Sequence, residues 1–383
     1  MNPIPYGRQS IDDSDIEAVV RALKSDFLTQ GPLVKEFEEK FAIYVGAEYA
    51  VACSNGTAAL HLSALALNVK PGQKILTTPI TFAASANCIL YCGAAIEFVD
   101  IDSETYLIDL ILLEKKLKNS PKGTYAGVIP VDFTGLPVDT EKLRKLANEY
   151  GLWIIEDACH SPGGYFVDSK GKEIKCGSGI YSDLTCFSFH PVKHMACGEG
   201  GMITTNDNVL YNSLMKLRTH GISRDNMPAE KGGWFHEMQF LGYNYRLPDL
   251  NCALGITQLA KADKGLEKRK AIAKKYDQIF AQNPKIKIQK QSEGLSHAYH
   301  LYVIEVQDRK GLYDFLKTKN IFSQVHYIPC HLHPYYQNLG WKVGDFTIAE
   351  KYYEGCLSLP MYPTLTDAEQ EYVINCVLEF VNT

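Results

Sequence analysis

One lysine sits where a chain seldom leaves one. In Phe187-Ser188-Phe189-His190-Pro191-Val192-Lys193-His194-Met195-Ala196-Cys197-Gly198-Glu199-Gly200-Gly201-Met202, an apolar strand-like run ends in a polar tip. Lys193 follows, then a glycine-rich turn into a second β-like run, Met202 to Thr205. Lysines usually occupy solvated faces, whereas glycines here let backbone come close to something bulky. A lysine held at a strand end beside a dry pocket has a lowered pKa and attacks carbonyls, which is Schiff-base chemistry.

A second constellation complements it. Trp153-Ile154-Ile155-Glu156-Asp157 is an apolar strand ending in two carboxylates. A carboxylate at a strand tip keeps a pyridine nitrogen protonated, and a protonated pyridine lets pyridoxal phosphate act as an electron sink. Ser54-Asn55-Gly56-Thr57 opens a helix that is apolar nearly all round. Its free amides and dipole suit a phosphate, Gly56 allows close approach, and Ser188 adds a hydroxyl. Phe82, at the start of another helix, offers a face on which a planar ring stacks. Each feature alone also fits an ordinary role: a surface lysine, a capped turn, an N-cap, a core phenylalanine. His160, His190 and His194 flank these segments without metal-ligand spacing, so no metal site is expected.

The elements that must position these residues alternate. After helical periods over 11–25 and 33–45, strands are expected near 49–53, 74–78, 96–99, 126–131 and 153–155. Helices at 58–67, 82–91, 109–117 and 140–150 come between them. This predicts an α/β fold, a mainly parallel sheet with helices on both faces, with ligands at the carboxyl ends of the strands. In the first helix, Ile16, Val19, Val20 and Leu23 make the apolar face, with Ser10 or Asp12 as cap. A long helical pattern over 248–280 reads as a bridge to a smaller C-terminal α+β domain, dividing the chain into 1–250 and 251–383. The charged, Gly-rich loop 221–237 is too long for a plain connector and reads as functional or mobile.

The chain has 383 residues, which favours two cores. Its 46% hydrophobic and 22% charged content is ordinary for a globular protein. A net charge of −5 leaves no basic footprint for nucleic acid or an anionic membrane. The N-terminal stretch lacks the apolar core of a signal peptide, and no run is long enough to span a membrane. The 11 cysteines are scattered without C-x-x-C spacing. Reduced thiols and a cytoplasmic location are expected.

Together these parts resemble the DegT/DnrJ/EryC1/StrS family of nucleotide-sugar aminotransferases, enzymes of pyridoxal-phosphate fold type I. The resemblance runs from Pro5-Tyr6-Gly7-Arg8-Gln9 to the last helix. It is carried by Leu28-Thr29-Gln30-Gly31-Pro32, Ser54-Asn55-Gly56-Thr57-Ala58-Ala59-Leu60 and Glu156-Asp157-Ala158. Pro191-Val192-Lys193 with Gly198-Glu199-Gly200-Gly201, and Gly242-Tyr243-Asn244-Tyr245-Arg246, complete it. Leu217 to Asp225, Glu237 to Gln239 and Gln324 to Pro329 look most like the branch acting in pseudaminic acid biosynthesis.

The resemblance implies that Lys193 links covalently to the cofactor and then shuttles the proton between Cα and C4′. Asp157 pairs with the pyridine nitrogen, Gly56, Thr57 and Ser188 hold the phosphate, and Phe82 stacks on the ring. His160 stands where many members carry glutamine; it implies a hydrogen-bonding side chain near the cofactor, with its role open. Pro248 interrupts a motif that usually lacks proline. Asn244 would reach the phosphate of a partner subunit's cofactor, implying a homodimer. Tyr6, Leu28, Thr29, Gln30, Gly31, His326, Tyr327, Ile328 and Pro329 would line the sugar-nucleotide side.

The reaction so implied moves the amino group of L-glutamate to C4 of a UDP-linked 4-keto-6-deoxy-N-acetyl-hexosamine. Bacillosamine- or perosamine-type sugars are the alternative substrates. Arg224 and Arg246 are both candidates for the glutamate carboxylate. A dehydratase branch resembles this chain but carries histidine at the lysine position, and Lys193 argues against it. A non-enzymatic descendant of the fold would not need the full set of Lys193, Asp157, Thr57 and Ser188.

Overall fold

In the computed structural model, which describes residues 2–224 and 228–383, the β-like runs assemble into a seven-stranded sheet. Its strands are β1 (Tyr49–Cys53), β2 (Lys74–Thr77), β3 (Ala95–Phe98), β4 (Gly127–Ile129), β5 (Trp153–Asp157), β6 (Leu184–Ser188) and β7 (Gly201–Thr205). The spatial order is β1-β7-β6-β5-β4-β2-β3. β2 to β6 pair in parallel, whereas β7 runs antiparallel to both β6 and β1. That reversal places the start of β7 beside two strand ends, because Gly201 pairs with both Cys53 and Ser188. The tips of β1, β5 and β6 thus open on one edge, the edge at which parallel sheets collect ligands.

The helices are α1 (Asp13–Leu23), α2 (Pro32–Val45), α3 (Gly56–Ala66), α4 (Ala84–Tyr91), α5 (Leu110–Lys118), α6 (Thr140–Tyr150), α7 (Asn208–Leu217), α8 (Asp249–Ala260) and α9 (Ala262–Phe280). α3 is apolar all round because it is enclosed: Ala58, Ala59, Leu60, Leu62 and Ala64 are all buried.

Two readings of the helices are corrected. In α1 the capping residue is Asp12, whose carboxylate accepts the amides of Ser14 and Asp15. Its buried face, however, is Asp15, Ala18 and Ala22, while Ile16, Val20 and Leu23 are exposed. The small residues win because α1 lies close against Ala253 of α8, and Asp15 is held there by Thr257 (2.6 Å) and Gln258 (2.9 Å). The pattern over 248–280 is two helices, not one. The backbone at Lys261 (φ −104°, ψ 0°) separates α8 from α9, and the Lys261 ammonium reaches Asp12 and Asp15.

Beyond α9, strands Lys287–Ile288, Tyr302–Glu305 and Cys356–Leu359 make a small antiparallel sheet with Tyr302–Glu305 central. Helices Arg309–Thr318 and Asp367–Asn382 cover it. The N-terminal Ile4–Pro5 pairs in parallel with Ile321–Phe322, which ties the start of the chain to this unit. Within the loop expected to be functional, Ile222–Ser223 pairs with Glu237–Met238. Its residues 225–227, including Asp225 of the branch motif, lie outside the described residues.

Arg269 ties α9 to the chain segments that follow it. It is 1% exposed, and its guanidinium donates to the carbonyls of Tyr299, His300 and Met361. Arg269→Met leaves those carbonyls without a charged donor in the interior. We expect a loss of about 3 kcal/mol, read as a lower urea midpoint at unchanged slope. A midpoint equal to the native one would mean the three bonds contribute nothing net.

Candidate active site

At the open edge of the sheet lies a cavity of about 760 Å³. Of the residues singled out from the sequence, it gathers Tyr6, Gly56, Thr57, Phe82, Asp157, His160, Ser188, Lys193, His326 and Tyr327. Each arrives from a different element. Asp157 ends β5, Ser188 ends β6, Lys193 follows in the turn after it, and Gly56 and Thr57 start α3. The N-terminal pairing brings Tyr6 in, with its ring 5.1 Å from that of His326.

Asp157 is 5% exposed and held by two donors. Ser85 Oγ donates to Oδ2 at 2.6 Å, and the Cys159 amide donates to Oδ1 at 3.2 Å. Lys193 is half-buried. Burial pushes its ammonium below the ordinary lysine range, and the Arg269 charge adds to this, while Cys159 and Asp157 oppose it. The amine is therefore easier to deprotonate than a surface lysine, as a nucleophile needs.

The neighbouring imidazoles are neutral. Burial drives His160, His194 and His300 well below the usual histidine range, and the nearby Lys193 charge adds to it. Burial likewise lowers His326 to about 3. His160 Nε2 lies 3.3 Å from the Tyr327 hydroxyl, its ring is 4.4 Å from that of His300, and its buried Nδ1 has no partner.

The residues fit pyridoxal phosphate. Asn55 caps α3 by accepting the Ala58 amide, so the amides of Gly56 and Thr57 in the first turn are left for an anion. The Thr57 and Ser188 hydroxyls border the same cavity. A Cβ on Gly56 would fall 2.8 Å from Ser188 Cβ, so only glycine lets the helix come this close. Phe82 is 61% exposed and its ring is 6.1 Å from Tyr327, a free aromatic face over the cavity. We expect Gly56→Ala to weaken pyridoxal-phosphate binding about tenfold in a spectroscopic titration, by moving the helix start away from Ser188. Native affinity would mean the seat lies elsewhere.

Other residues stay outside the cavity of a single chain. Asn244 is exposed, although its neighbour Tyr245 lines the cavity. Leu28 to Gly31 are pinned to the start of α8, where the Gly31 amide donates to Asp249 at 2.8 Å and the Asp249 amide donates to Leu28 O at 3.0 Å. Ile328 is exposed and Pro329 buried, and neither lines the cavity. Arg224 is exposed and Arg246 half-buried, also outside the lining.

The structure adds residues that the sequence reading passed over. Ser85 and Thr81 stand beside Asp157, and His61, Tyr245 and His300 line the cavity. Two signals were available. Thr81 and Ser85 are hydroxyls four apart at the start of an apolar helix, and His297 and His300 are three apart. Asp132 and Glu156 also lie together behind the sheet edge, with Cys176. Burial raises both carboxyls, and the Glu156 charge raises Asp132 further.

The described cysteines are all free thiols, and no described helix is long and apolar enough to cross a membrane. The profile of the DegT/DnrJ/EryC1/StrS aminotransferase family matches residues 9–378. The spore coat polysaccharide biosynthesis protein SpsC of Bacillus subtilis is 38% identical over 99% of this chain and 97% of its own length. A UDP-4-amino-4,6-dideoxy-N-acetyl-β-L-altrosamine transaminase of Campylobacter jejuni is 38% identical over 97% of this chain and 95% of its own. Among solved structures, the PMP form of the sugar aminotransferase Spr1654 of Streptococcus pneumoniae superposes with a TM-score of 0.91 at 28% identity, over 99% of both chains. With a family profile over nearly the whole chain and relatives of this identity, the chain belongs to the DegT/DnrJ/EryC1/StrS aminotransferase family, whose cofactor is pyridoxal 5′-phosphate.

Proposed function

We propose that this aminotransferase moves the amino group of L-glutamate to C4 of a UDP-linked 4-keto-6-deoxy-N-acetyl-hexosamine. The specific substrate is UDP-2-acetamido-2,6-dideoxy-β-L-arabino-hex-4-ulose, and the pathway pseudaminic acid biosynthesis. The observation that carries the reading is the meeting of Lys193, Asp157 and the α3 amides in one cavity. The likeness to the Campylobacter jejuni transaminase supports the choice of sugar. Bound there, pyridoxal phosphate supplies a carbonyl for amines and a ring that takes up electrons.

The chain's own residues do the rest. Lys193, with its lowered pKa, accepts and returns the proton at the substrate carbon. Asp157 keeps the ring nitrogen protonated. Gly56, Thr57 and Ser188 hold the phosphate, and Phe82 covers the ring. Neutral His160, His300 and His326 offer hydrogen bonds without adding charge beside the lysine. Tyr6, Tyr327 and His326 face the sugar.

The active unit in this reading is a homodimer in the cytoplasm. Asn244 and Leu28 to Gly31 lie outside the cavity, which suits a role in the partner's site, with Ile328 and Pro329 completing the sugar-nucleotide side. The exposed apolar face of Ile16, Val20 and Leu23 suits burial against a second copy. The proposed division into 1–250 and 251–383 falls within α8. The glutamate carboxylate would be received by Arg224 or Arg246.

The test is a paired assay with glutamate and two UDP-4-keto-6-deoxy-N-acetyl sugars differing at C5, with products identified by mass and proton couplings. Strong preference for the L-arabino ketone supports the reading. Preference for the D-xylo ketone moves the enzyme to a bacillosamine-type reaction. Loss of C3 oxygen instead of amination would overturn both.

A further inference from the structure

The Asp157 carboxylate is buried, yet the residue that grips it most closely is a hydroxyl with no obvious part in binding or proton transfer. Ser85, in the first turn of α4, is fully buried and lies 2.6 Å from Asp157 Oδ2. Behind it, Thr81 Oγ1 is 2.7 Å from Ser85 Oγ and is itself 2% exposed. Both side chains are almost wholly buried at the border of the cavity.

The direction of the protons follows from the donor inventory. An ionised carboxylate only accepts, so Ser85 spends its single O–H on Asp157. Its other option, the Phe82 carbonyl, is 3.4 Å away. A distance of 2.6 Å is in the range of charge-assisted O–H···O⁻ bonds. The Ser85 oxygen is then left to accept, and Thr81 is placed to donate into it at 2.7 Å, closer than its other acceptor, the Phe82 carbonyl at 3.2 Å. A hydroxyl that is itself an acceptor is a stronger donor, because hydrogen bonds in a chain polarise one another. The Cys159 amide occupies the other carboxylate oxygen.

We propose that Ser85, polarised by Thr81, is a positioning residue that fixes the Asp157 carboxylate as an anion in one orientation. The inference rests on the reading that Asp157 faces the cofactor's ring nitrogen. Donors to the charged form favour it, so Ser85 biases the proton between carboxylate and ring toward the ring. Loss of that bond lets the proton move to the carboxylate, and the ring becomes a weaker electron sink. The segment 81–85 carries both this tether and the Phe82 face, so one turn of chain aligns two groups against the cofactor.

The test is a double-mutant cycle on holoprotein with Ser85→Ala, Asp157→Asn and the pair. Two quantities are read: the rate of the half-reaction with glutamate, and the ¹⁵N resonance of the ring nitrogen in protein loaded with ¹⁵N-labelled pyridoxal phosphate. Ser85→Ala is expected to slow the half-reaction about tenfold in the native background and less than about twofold beside Asp157→Asn. Its ¹⁵N resonance should move toward the neutral-ring position, and Ser85→Thr, which keeps the hydroxyl, should restore both readouts. If Ser85→Ala does not fold, Thr81→Val removes the polarising donor at nearly constant shape and should move the resonance the same way by less. An equal rate loss in both backgrounds with an unmoved resonance would reduce Ser85 to packing and overturn the inference. So would an unmoved resonance in Thr81→Val where Ser85→Ala is insoluble. A native rate for Asp157→Asn alone would bring down the reading of Asp157 and this inference together, an outcome distinct from failure of the cycle.

Discussion

Lys193→Ala is expected to lose amino transfer by on the order of 10⁴-fold or more while keeping the fold and the non-covalent seat for the cofactor. Borohydride reduction followed by peptide mass mapping should tag Lys193 in the native protein and nothing in the variant. Transamination retained in Lys193→Ala would sink the mechanism, and a tag at another lysine would reassign the nucleophile. A second consequence concerns stability. Burial lowers the Lys193 pKa from its ordinary value of 10.5, so the unfolded chain holds this proton more tightly than the folded one. Below the folded value both states are protonated and the full cost of burying the ammonium is present. Between the two values stability rises with pH, and above 10.5 both amines are neutral and the cost is gone. Lys193→Met should therefore stabilise the cofactor-free protein near neutrality, with a gain that fades in alkaline buffer. A gain in the urea midpoint that did not vary with pH would count against a buried charge.

Much of the site was legible because strand ends and helix starts announce themselves. Asp157, Ser188 and Gly56-Thr57 each follow an apolar run with a polar tip, and a sheet with parallel order must bring such tips to one edge. Tyr6 and His326 could not be placed that way. Their meeting depends on the short pairing of Ile4–Pro5 with Ile321–Phe322, two residues on each side, far too little for a periodicity to register. The α1 face was misread for a related reason. Counting apolar residues favours Ile16, Val20 and Leu23, but close approach of α8 selects Ala18 and Ala22, and a buried Asp15 is allowed because Thr257, Gln258 and Lys261 satisfy it. The break at Lys261 contains neither proline nor glycine, so propensity gives no sign of it. Ser85 escaped because a serine in an apolar helix looks like filler until its partner across the sheet edge is known.

Asp157→Asn should bind pyridoxal phosphate within about tenfold of native, since the amides and hydroxyls that hold the phosphate are untouched, yet slow the glutamate half-reaction by about 10²–10³. The substitution keeps shape and can still accept from Ser85, so what it removes is charge. Two buried carboxylates close to Asp157 in the fold are poorly placed to take over. Glu156 is next in sequence, but neighbouring strand residues point to opposite faces, and its oxygen is committed to Ser182 at 3.1 Å and Thr185 at 2.8 Å. Burial and the Glu156 charge push the Asp132 carboxyl well above the usual range, and it already accepts from Ser161 at 2.6 Å. Glu156→Gln is the matching control: it should lower stability, because a tightly bonded buried network is disturbed, while leaving the rate within about threefold. If the outcomes were exchanged, with Asp157→Asn at full rate and Glu156→Gln slow, the two carboxylates at the tip of β5 would have to trade roles. The sheet would then have to present its other face to the cofactor, which the position of Lys193 beside Asp157 in the cavity does not allow.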